Sequence, residues 1–385
     1  MVTLLYVIFF VAVFAPLYTY AIYPLILKAL PARSYVTDNN AVPLVSVLVA
    51  AYNEECVIAD KIKNMSELDY PAERIEFLIG SDGSSDRTVE IARSCSTMPN
   101  LKVFDLPRGG KVQALNALLR EAGGDILVFT DANTLLDRQA IRKLVSRFGD
   151  QAIGLVSGLL HYSVDENSGQ GAQSLGTYWK YENWVKMQES KLGRLSGANG
   201  GLYAMRRGIV PEIPPGIVND DFYMANYTLQ AGWDVVMAEE AVAYEKPNDA
   251  MSSQFKRHVR DGAGHYQAMA VFWRMLLPRK GSFSYVSHRV VKWLVPFMLI
   301  AAFFSNLVLS FFSPVMLVVF WLQVLGYGVL LLNWFINRRG GRLPGIVGKL
   351  IQMACYFIAV NIALLVGFFK YLGGKQSSTW ETQRA

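Results

Sequence analysis

Three long stretches of this chain carry no charged side chain: Val2–Leu27, Trp293–Asn337 and Leu350–Phe369. A membrane-spanning helix needs about 20 apolar residues. The first and last stretches hold one span each, and the middle one holds two, with a break near Ser310–Pro314. Spans are therefore expected at about 5–27, 291–311, 315–336 and 350–370. The first stretch is too long for a cleaved signal peptide, lacks a basic start and shows no clear small-residue cleavage site. No charged residue interrupts these three apolar stretches, which argues against a transporter.

Lys and Arg set the orientation. Arg338, Arg339, Arg342 and Lys349 crowd the loop between the third and fourth spans. Lys28 and Arg33 follow the first span, and Lys280, Arg289 and Lys292 precede the second. All these segments share one side, which the positive-inside rule makes cytoplasmic, with both termini outside. Lys370, Lys375 and Arg384 in the tail run against that bias. The expectation is a multi-pass protein of the inner cell membrane whose large domain, between the first and second spans, is cytoplasmic. Only 18% of residues are charged, below the quarter usual in soluble proteins, and the net charge of +6 fits a face set against membrane lipids. No basic stretch is interleaved with stacking aromatics, so nucleic acid is not expected as a partner. Cys56, Cys95 and Cys355 form no close pair and give neither a disulfide framework nor zinc spacing.

Residues 43 to about 250 read as a soluble α/β domain. Apolar runs within 45–54, 75–88, 101–106 and 125–130 end in polar residues, with helical stretches at 113–121 and 137–148 between them. That alternation predicts a parallel, doubly wound sheet, whose ligands sit beyond the carboxyl ends of the strands. Asn53 and Glu54, Asp82, and Asp131 and Asn133 stand at three such ends and should converge on one crevice. Further on come a strand at 154–162, an amphipathic aromatic stretch at 174–190 and a turn entering a strand at 196–207. A helix then starts at Asn219 or Asp220 and stops at Gly232. Residues 254–265 are basic and carry Gly262 and Gly264; residues 266–277 read as a helix in the membrane interface. The chain divides into a first span (1–30), the α/β domain (43–250), basic and interfacial helices (251–289), three spans (290–371) and a tail (372–385).

Several residues admit both a chemical and a structural role. Asp131 and Asn133, at i and i+2, offer two oxygens to a hard cation such as Mg²⁺ or Mn²⁺, or cap a following helix. Asp82 either bonds a nucleobase or ribose or belongs to an ordinary Asp-Gly turn, and Asp86 caps the helix after it. Lys111, behind Gly109–Gly110, meets a phosphate or merely starts a helix; the spacing is not that of a P-loop. Asp220 and Asp221 suit a helix N-terminus, and a second acid there could serve as a general base. Arg257 and Arg260 share a helix face and could neutralise a diphosphate or lipid headgroups. His258 and His265 show no partner spacing for a metal.

The order of "YNE", "SDGSSD", "K-x-x-A-L-N", "TDAN", "GANGGLYAMRR", "NDDF…GW" and "Q-x-x-R" resembles the membrane-bound family 2 glycosyltransferases. This is the inverting class that includes the cellulose, chitin, hyaluronan and poly-N-acetylglucosamine synthases. The resemblance covers roughly 43–265 and implies a GT-A, Rossmann-like cytosolic domain beside an α-helical region of about four spans. It implies that Tyr52, Asn53, Glu54 and Asp82 hold the uracil and ribose of a UDP-sugar, with Lys111 near the phosphates. Asp131 and Asn133 would take the D-x-D metal positions, with Mg²⁺ or Mn²⁺. Asp221 would be the catalytic base, Asp220 its acidic neighbour, and Gln254 and Arg257 the start of the "Q-x-x-R-W" motif. The chain departs from that pattern at Asn133, an amide for an acid, and at His258, which replaces the tryptophan. Those departures favour addition of one sugar or a few to a lipid-linked or saccharide acceptor, with polysaccharide-assembly proteins as further partners. A processive synthase, a polyprenyl-phosphate sugar transferase and an inactive nucleotide-binding scaffold are the alternatives.

Overall fold

The structure, a computed structural model, describes residues 1–95, 98–162, 170–245, 251–339, 341, 343 and 345–374. Arg342 and the tail from Lys375 to Arg384 fall outside the described residues. Among the described residues, four helical segments are long and apolar enough to cross a membrane: Val2–Ala29, Ser282–Leu309, Pro314–Arg338 and Gly345–Leu372. They overlie the four stretches expected from the sequence. The first consists of α1 (Val2–Leu17), a π-helical turn (Tyr18–Ile22) and α2 (Tyr23–Ala29). Pro16 and Pro24 flank that wide turn, where each removes an N–H from the helical ladder.

The α/β domain runs β1 (Val45–Ala51), α3 (Ile58–Ser66), β2 (Ile75–Asp82), α4 (Thr88–Ser94), β3 (Leu101–Leu106) and α5 (Lys111–Glu121). It continues β4 (Ile126–Asp131), β5 (Thr134–Leu136), α6 (Ala140–Ser146), β6 (Ile153–Tyr162) and α7 (Gln170–Lys191). It ends with β7 (Tyr203–Arg206), α8 (Asp220–Gln230) and β8 (Asp234–Glu245). Helix α9 (Met251–Val271) returns to the membrane region. A short α10 (Ser282–Ser284), a π-helical turn and α11 (Val291–Leu309) make the second span; α12 (Pro314–Arg338) and α13 (Gly345–Leu372) are the third and fourth.

The strands form one sheet in the order β3-β2-β1-β4-β7-β6-β8-β5. β3, β2, β1 and β4 pair in parallel, as the alternation predicted. Beyond β4 the sheet is mixed: β7 lies antiparallel to both β4 and β6, and β5 antiparallel to β8. A parallel return needs a crossover of a dozen or more residues. Only Ala132 and Asn133 separate β4 from β5, so β5 turns away to the far edge.

Both faces of the sheet are covered. Val45, Val47, Val49 and Ala51 of β1 point to one side, where Ile58 and Ile62 of α3 and Ile141 and Leu144 of α6 bury them. Leu48 and Ala50 point to the other, against Leu115 and Leu118 of α5. That second core runs on without a break through Phe222 and Leu229 of α8 to Tyr266 of α9 and Tyr285 and Trp293 of the second span. The α/β domain and the start of the second span thus share one apolar interior, while the first and third spans pack in a separate cluster around Phe9, Leu309 and Met316.

The basic and aromatic stretches at 254–277 differ from expectation. Residues up to Val271 belong to the single helix α9, and Trp273–Leu276 form a 3-10 turn. Tyr266, Phe272 and Met275 are buried in the core, while Trp273, Leu276 and Leu277 remain exposed.

Candidate active site

Lys111 opens α5 directly after Gly110, whose φ of +95° is one that glycine adopts freely. Its Nζ donates to Asp131 Oδ1 at 2.8 Å and lies 3.2 Å from Asp220 Oδ1. One ammonium therefore joins the end of β4 to the start of α8. Burial works to lower its pKa, but Asp131, Asp220 and Asp221 together hold it above the ordinary lysine value. Asp131 responds in kind: burial pushes its carboxyl up, and the Lys111 ammonium brings it below the usual range. The sequence left open whether Asp131 and Asn133 cap a helix; β5 follows them instead, so they cap none.

Asn219 occupies the N-cap position of α8, yet its side chain makes no capping bond and donates Nδ2 to the Asp261 carbonyl of α9 at 3.2 Å. Asp221 Oδ1 accepts the Phe222 N–H at 2.8 Å. Burial, then the adjacent Asp220 charge, raises the Asp221 carboxyl to about 6, against the pull of Lys111 and Lys186. Two neighbouring acids at one helix start thus differ in surroundings: Asp220 pairs with Lys111, while the Asp221 carboxyl is held above the usual aspartate range.

The turn after β1 is locked onto the loop after β2. Asn53 has a φ of +51°, a left-handed conformation that asparagine tolerates. Its N–H donates to Ser84 Oγ at 3.0 Å, and its Oδ1 accepts the Ser85 N–H at 2.8 Å. The Glu54 N–H reaches Thr88 Oγ1 at 2.7 Å, and Asp86 accepts the Thr88 N–H at 3.0 Å. Asp82 is buried, and its carboxylate takes the N–H groups of Gly109 and Gly110 at 2.7 and 2.8 Å and the Arg108 guanidinium. Arg108 at the same time lies flat over the Tyr52 ring, 3.3 Å from its centroid. Asp82 thus shapes the loop that delivers Lys111, with its carboxylate already taken by Arg108 and two backbone N–H groups.

Asn133 donates Nδ2 to Glu245 Oε1 at 3.1 Å, and Arg257 Nη1 stands 3.5 Å from the same oxygen. That bond commits the amide nitrogen of Asn133 to Glu245, so its oxygen is the atom that could serve a cation. Asp131 and Asn133 with a diphosphate make the hard-oxygen set that Mg²⁺ or Mn²⁺ takes, so the residues present fit such an ion. No group of three His, Cys, Asp or Glu residues with metal-binding geometry occurs among the described residues. Behind the β4–β5 turn, the fully buried Lys61 donates to Thr130 Oγ1 at 2.9 Å and to the Thr134 carbonyl at 2.6 Å. Burial lowers its pKa to about 7, partly offset by Asp131.

Arg257 and Arg260 both sit on Asp261, at 4.0 and 3.1 Å, with their side chains about half exposed. Gln254 lies in the first turn of α9, and its side chain is outside the described residues. His258 faces Tyr356 Oη of the fourth span at 3.4 Å. His265 stacks on Trp293 with ring centroids 4.8 Å apart, and burial lowers it to about 4. Nothing in the sequence marks Lys61 or Lys186, single lysines without a spaced partner. Glu245 and Arg108 had weak signals: one ends an alternating strand, and the other precedes Gly-Gly-Lys.

The Glycosyl transferase family 2 model matches residues 46–213. Beta-monoglucosyldiacylglycerol synthase of Trichormus variabilis is 27% identical over 254 residues, covering 63% of this chain and 53% of that protein. Poly-beta-1,6-N-acetyl-D-glucosamine synthase of Staphylococcus aureus is 25% identical over 236 residues, covering 61% and 50%. The chain spans about half the length of these curated relatives. A mannosyltransferase from Pyrobaculum calidifontis, solved with GDP-Man and Mn²⁺, superposes with a TM-score of 0.75 at 22% identity. It covers 96% of this chain and 99% of its own, and establishes likeness of fold: a GT-A type mixed sheet with a helical C-terminal region. Residues 46–213 thus match the family 2 glycosyltransferase model, within an architecture of GT-A type.

Proposed function

We propose that the chain transfers a sugar, with inversion, from a nucleotide-diphosphate sugar to an acceptor at the membrane surface. The observation that carries this reading is Lys111, which gathers Asp131 and Asp220 on one ammonium beside the raised carboxyl of Asp221. A base that titrates near 6 is ionised at neutral pH and still basic enough to receive a proton. Asp221 takes the proton of the acceptor hydroxyl as its oxygen attacks the anomeric carbon. The bond from that carbon to the phosphate oxygen breaks on the opposite face, and the nucleoside diphosphate leaves with the electron pair. Lys111 and the half-exposed Arg257 and Arg260 supply positive charge for the departing diphosphate.

Asp131 and Asn133 would hold a divalent cation, Mg²⁺ or Mn²⁺, which when bound supplies charge neutralisation at the diphosphate. Tyr52, Asn53, Glu54 and Asp82 would hold base and ribose once Arg108 has moved. The donor is read as UDP-linked, with GDP-linked sugars tested beside it because the structural neighbour was solved with GDP-Man. Relatives that make a glycolipid and a polysaccharide support a lipid-linked or saccharide acceptor. His258, turned to Tyr356 in the fourth span where the resemblance calls for tryptophan, favours short products. The Lys and Arg bias of the loops supports reading the catalytic domain as cytoplasmic, at the inner membrane.

The test is nucleoside-diphosphate release by purified protein across common UDP- and GDP-sugars, with membrane-extracted lipid acceptors. At least one donor should turn over, and Asp221→Asn should stop turnover while nucleotide binding persists. Binding without release from any donor would instead mark an inactive nucleotide-binding scaffold.

A further inference from the structure

Helix α7 turns three buried charged residues inward: Glu182, Lys186 and Glu189. The two acids are fully engaged with the second span and α2. Glu182 accepts from Arg289 Nη1 and Lys292 Nζ, both at 2.7 Å, and lies 3.1 Å from His288 Nε2. Glu189 accepts from Tyr23 Oη at 2.7 Å and meets His288 Nδ1 at 2.8 Å. Lys186 does something else. Its ammonium donates to Asn199 Oδ1 at 2.5 Å and lies 5.6 Å from the Trp179 ring centre, with no salt-bridging carboxylate among the described residues. A buried ammonium is unfavourable unless its surroundings compensate it, so this placement calls for a reason.

The residues around Asn199 supply one. Asn199 donates its N–H to Ser157 Oγ at 3.0 Å and Nδ2 to the Gly158 carbonyl at 2.7 Å, so it is fixed on β6. Arg289 Nε holds the same loop further back, at the Ser196 carbonyl, 3.1 Å away. The residue after Asn199 is Gly200, and a Cβ there would lie 3.2 Å from Asp221 Oδ2. The loop thus lies flush against the carboxylate read above as the base. Lys186 is faced by Arg289 of the second span, Glu182 and Glu189 of its own helix, and Asp221 of α8. Asp221 is faced in turn by Asp220, by Lys111 of α5, by Lys186 and by Tyr203 of β7.

We infer that Lys186 is a positioning residue for sugar transfer: it fixes Asn199 so that Gly200 abuts Asp221, and its positive charge supports the ionised carboxylate. The inference rests on Asp221 being the base. It goes further in assigning a second cation, from the membrane-proximal helix α7, to the base that Lys111 already approaches from α5. Burial leaves the Lys186 ammonium near 8, and Asp221 is one of the acids that hold it up.

The experiment follows kcat/KM for nucleoside-diphosphate release against pH in full-length wild type, Lys186→Met, Lys186→Gln and Lys186→Arg, using the donor that turns over. UDP and GDP binding is measured alongside by calorimetry. Loss of the charge should move the acid limb up by about one pH unit in both neutral variants, the lower end of the effect of a close opposite charge. Lys186→Gln keeps a donor for Asn199, so the same shift there separates charge from loop geometry and serves if Lys186→Met does not fold. Lys186→Arg should restore the wild-type limb, and nucleotide affinity should change less than about twofold in all three. A limb that stays in place in the neutral variants, with or without a uniform fall in rate, overturns the inference. Transfer surviving in Asp221→Asn overturns the base assignment and this inference with it. An inactive Asp221→Asn beside an unmoved limb overturns the inference alone.

Discussion

Asp221 holds a carboxyl raised to about 6 by burial and by Asp220, against about 4 for an aspartate in the unfolded chain. Two consequences follow at the scale of the residue. Transfer should fall as pH drops through about 6, because the base becomes protonated; a pH–rate profile flat to pH 5 would contradict this. Stability carries the opposite sign. Below about pH 4 the carboxyl is protonated in both states, and as pH rises through 6 the folded chain must ionise it in a buried site, so stability is lost. Asp221→Asn should therefore melt a few degrees higher than wild type at pH 7.5, with the gain vanishing by pH 4. Thermal unfolding in detergent at the two pH values checks it, and an unchanged or lower Tm at pH 7.5 would count against the raised carboxyl. Chelation belongs here too. EDTA should stop nucleotide release and Mn²⁺ or Mg²⁺ restore it, and full activity in chelator would remove the cation from Asp131 and Asn133. These acids were legible because motif order carries them. Lys61 and Lys186 were not, because what distinguishes them is burial against polar groups brought from elsewhere in the fold, and no spacing along the chain records that. Asp82 was visible as an acid at a strand end, but its saturation by Arg108 and two backbone N–H groups needed the folded loop.

Helix α9 links the elements of the site. Gly264 lets Asn219 lie against it, where a Cβ would come within 2.7 Å of Nδ2. On its other side the fourth span approaches so closely that a Cβ at Gly367 would sit 2.8 Å from the Val259 carbonyl and the Ala263 nitrogen. Both contacts are with backbone, which cannot step aside. Gly367→Val should force α9 away from α13 at a cost of about 1–3 kcal/mol, as overpacking does. It should also lower turnover by shifting Arg257 from Glu245. Melting and release assays on the purified variant check both, and wild-type values in each would contradict the coupling. The spans, β1 to β4 and α8 were readable from apolar runs and helix punctuation. The reversal at β7 and the single long α9 were not, because strand direction and helix continuity depend on where the chain returns in space.

At the scale of the molecule, Asp234 joins the soluble domain to its stems. This fully buried carboxylate at the start of β8 meets Arg33 Nη1 at 2.6 Å and Lys280 Nζ at 2.7 Å, from the segments that leave the first span and enter the second. Asp234→Ala should cost on the order of 2 kcal/mol, less than a lone buried charge would, because both partners are partly exposed and can turn to water. Chemical unfolding checks the figure; a stability equal to wild type would show the stems to be held elsewhere. With this joint and a core continuous from sheet to second span, the domain is seated against the membrane helices with its acids gathered on Lys111. Nucleoside-diphosphate release measured side by side for wild type and Asp221→Asn, with nucleotide binding confirmed for both, tests that arrangement most directly. Release by wild type from at least one nucleotide sugar and none by the variant is the expected result. Equal release by the two proteins would contradict it.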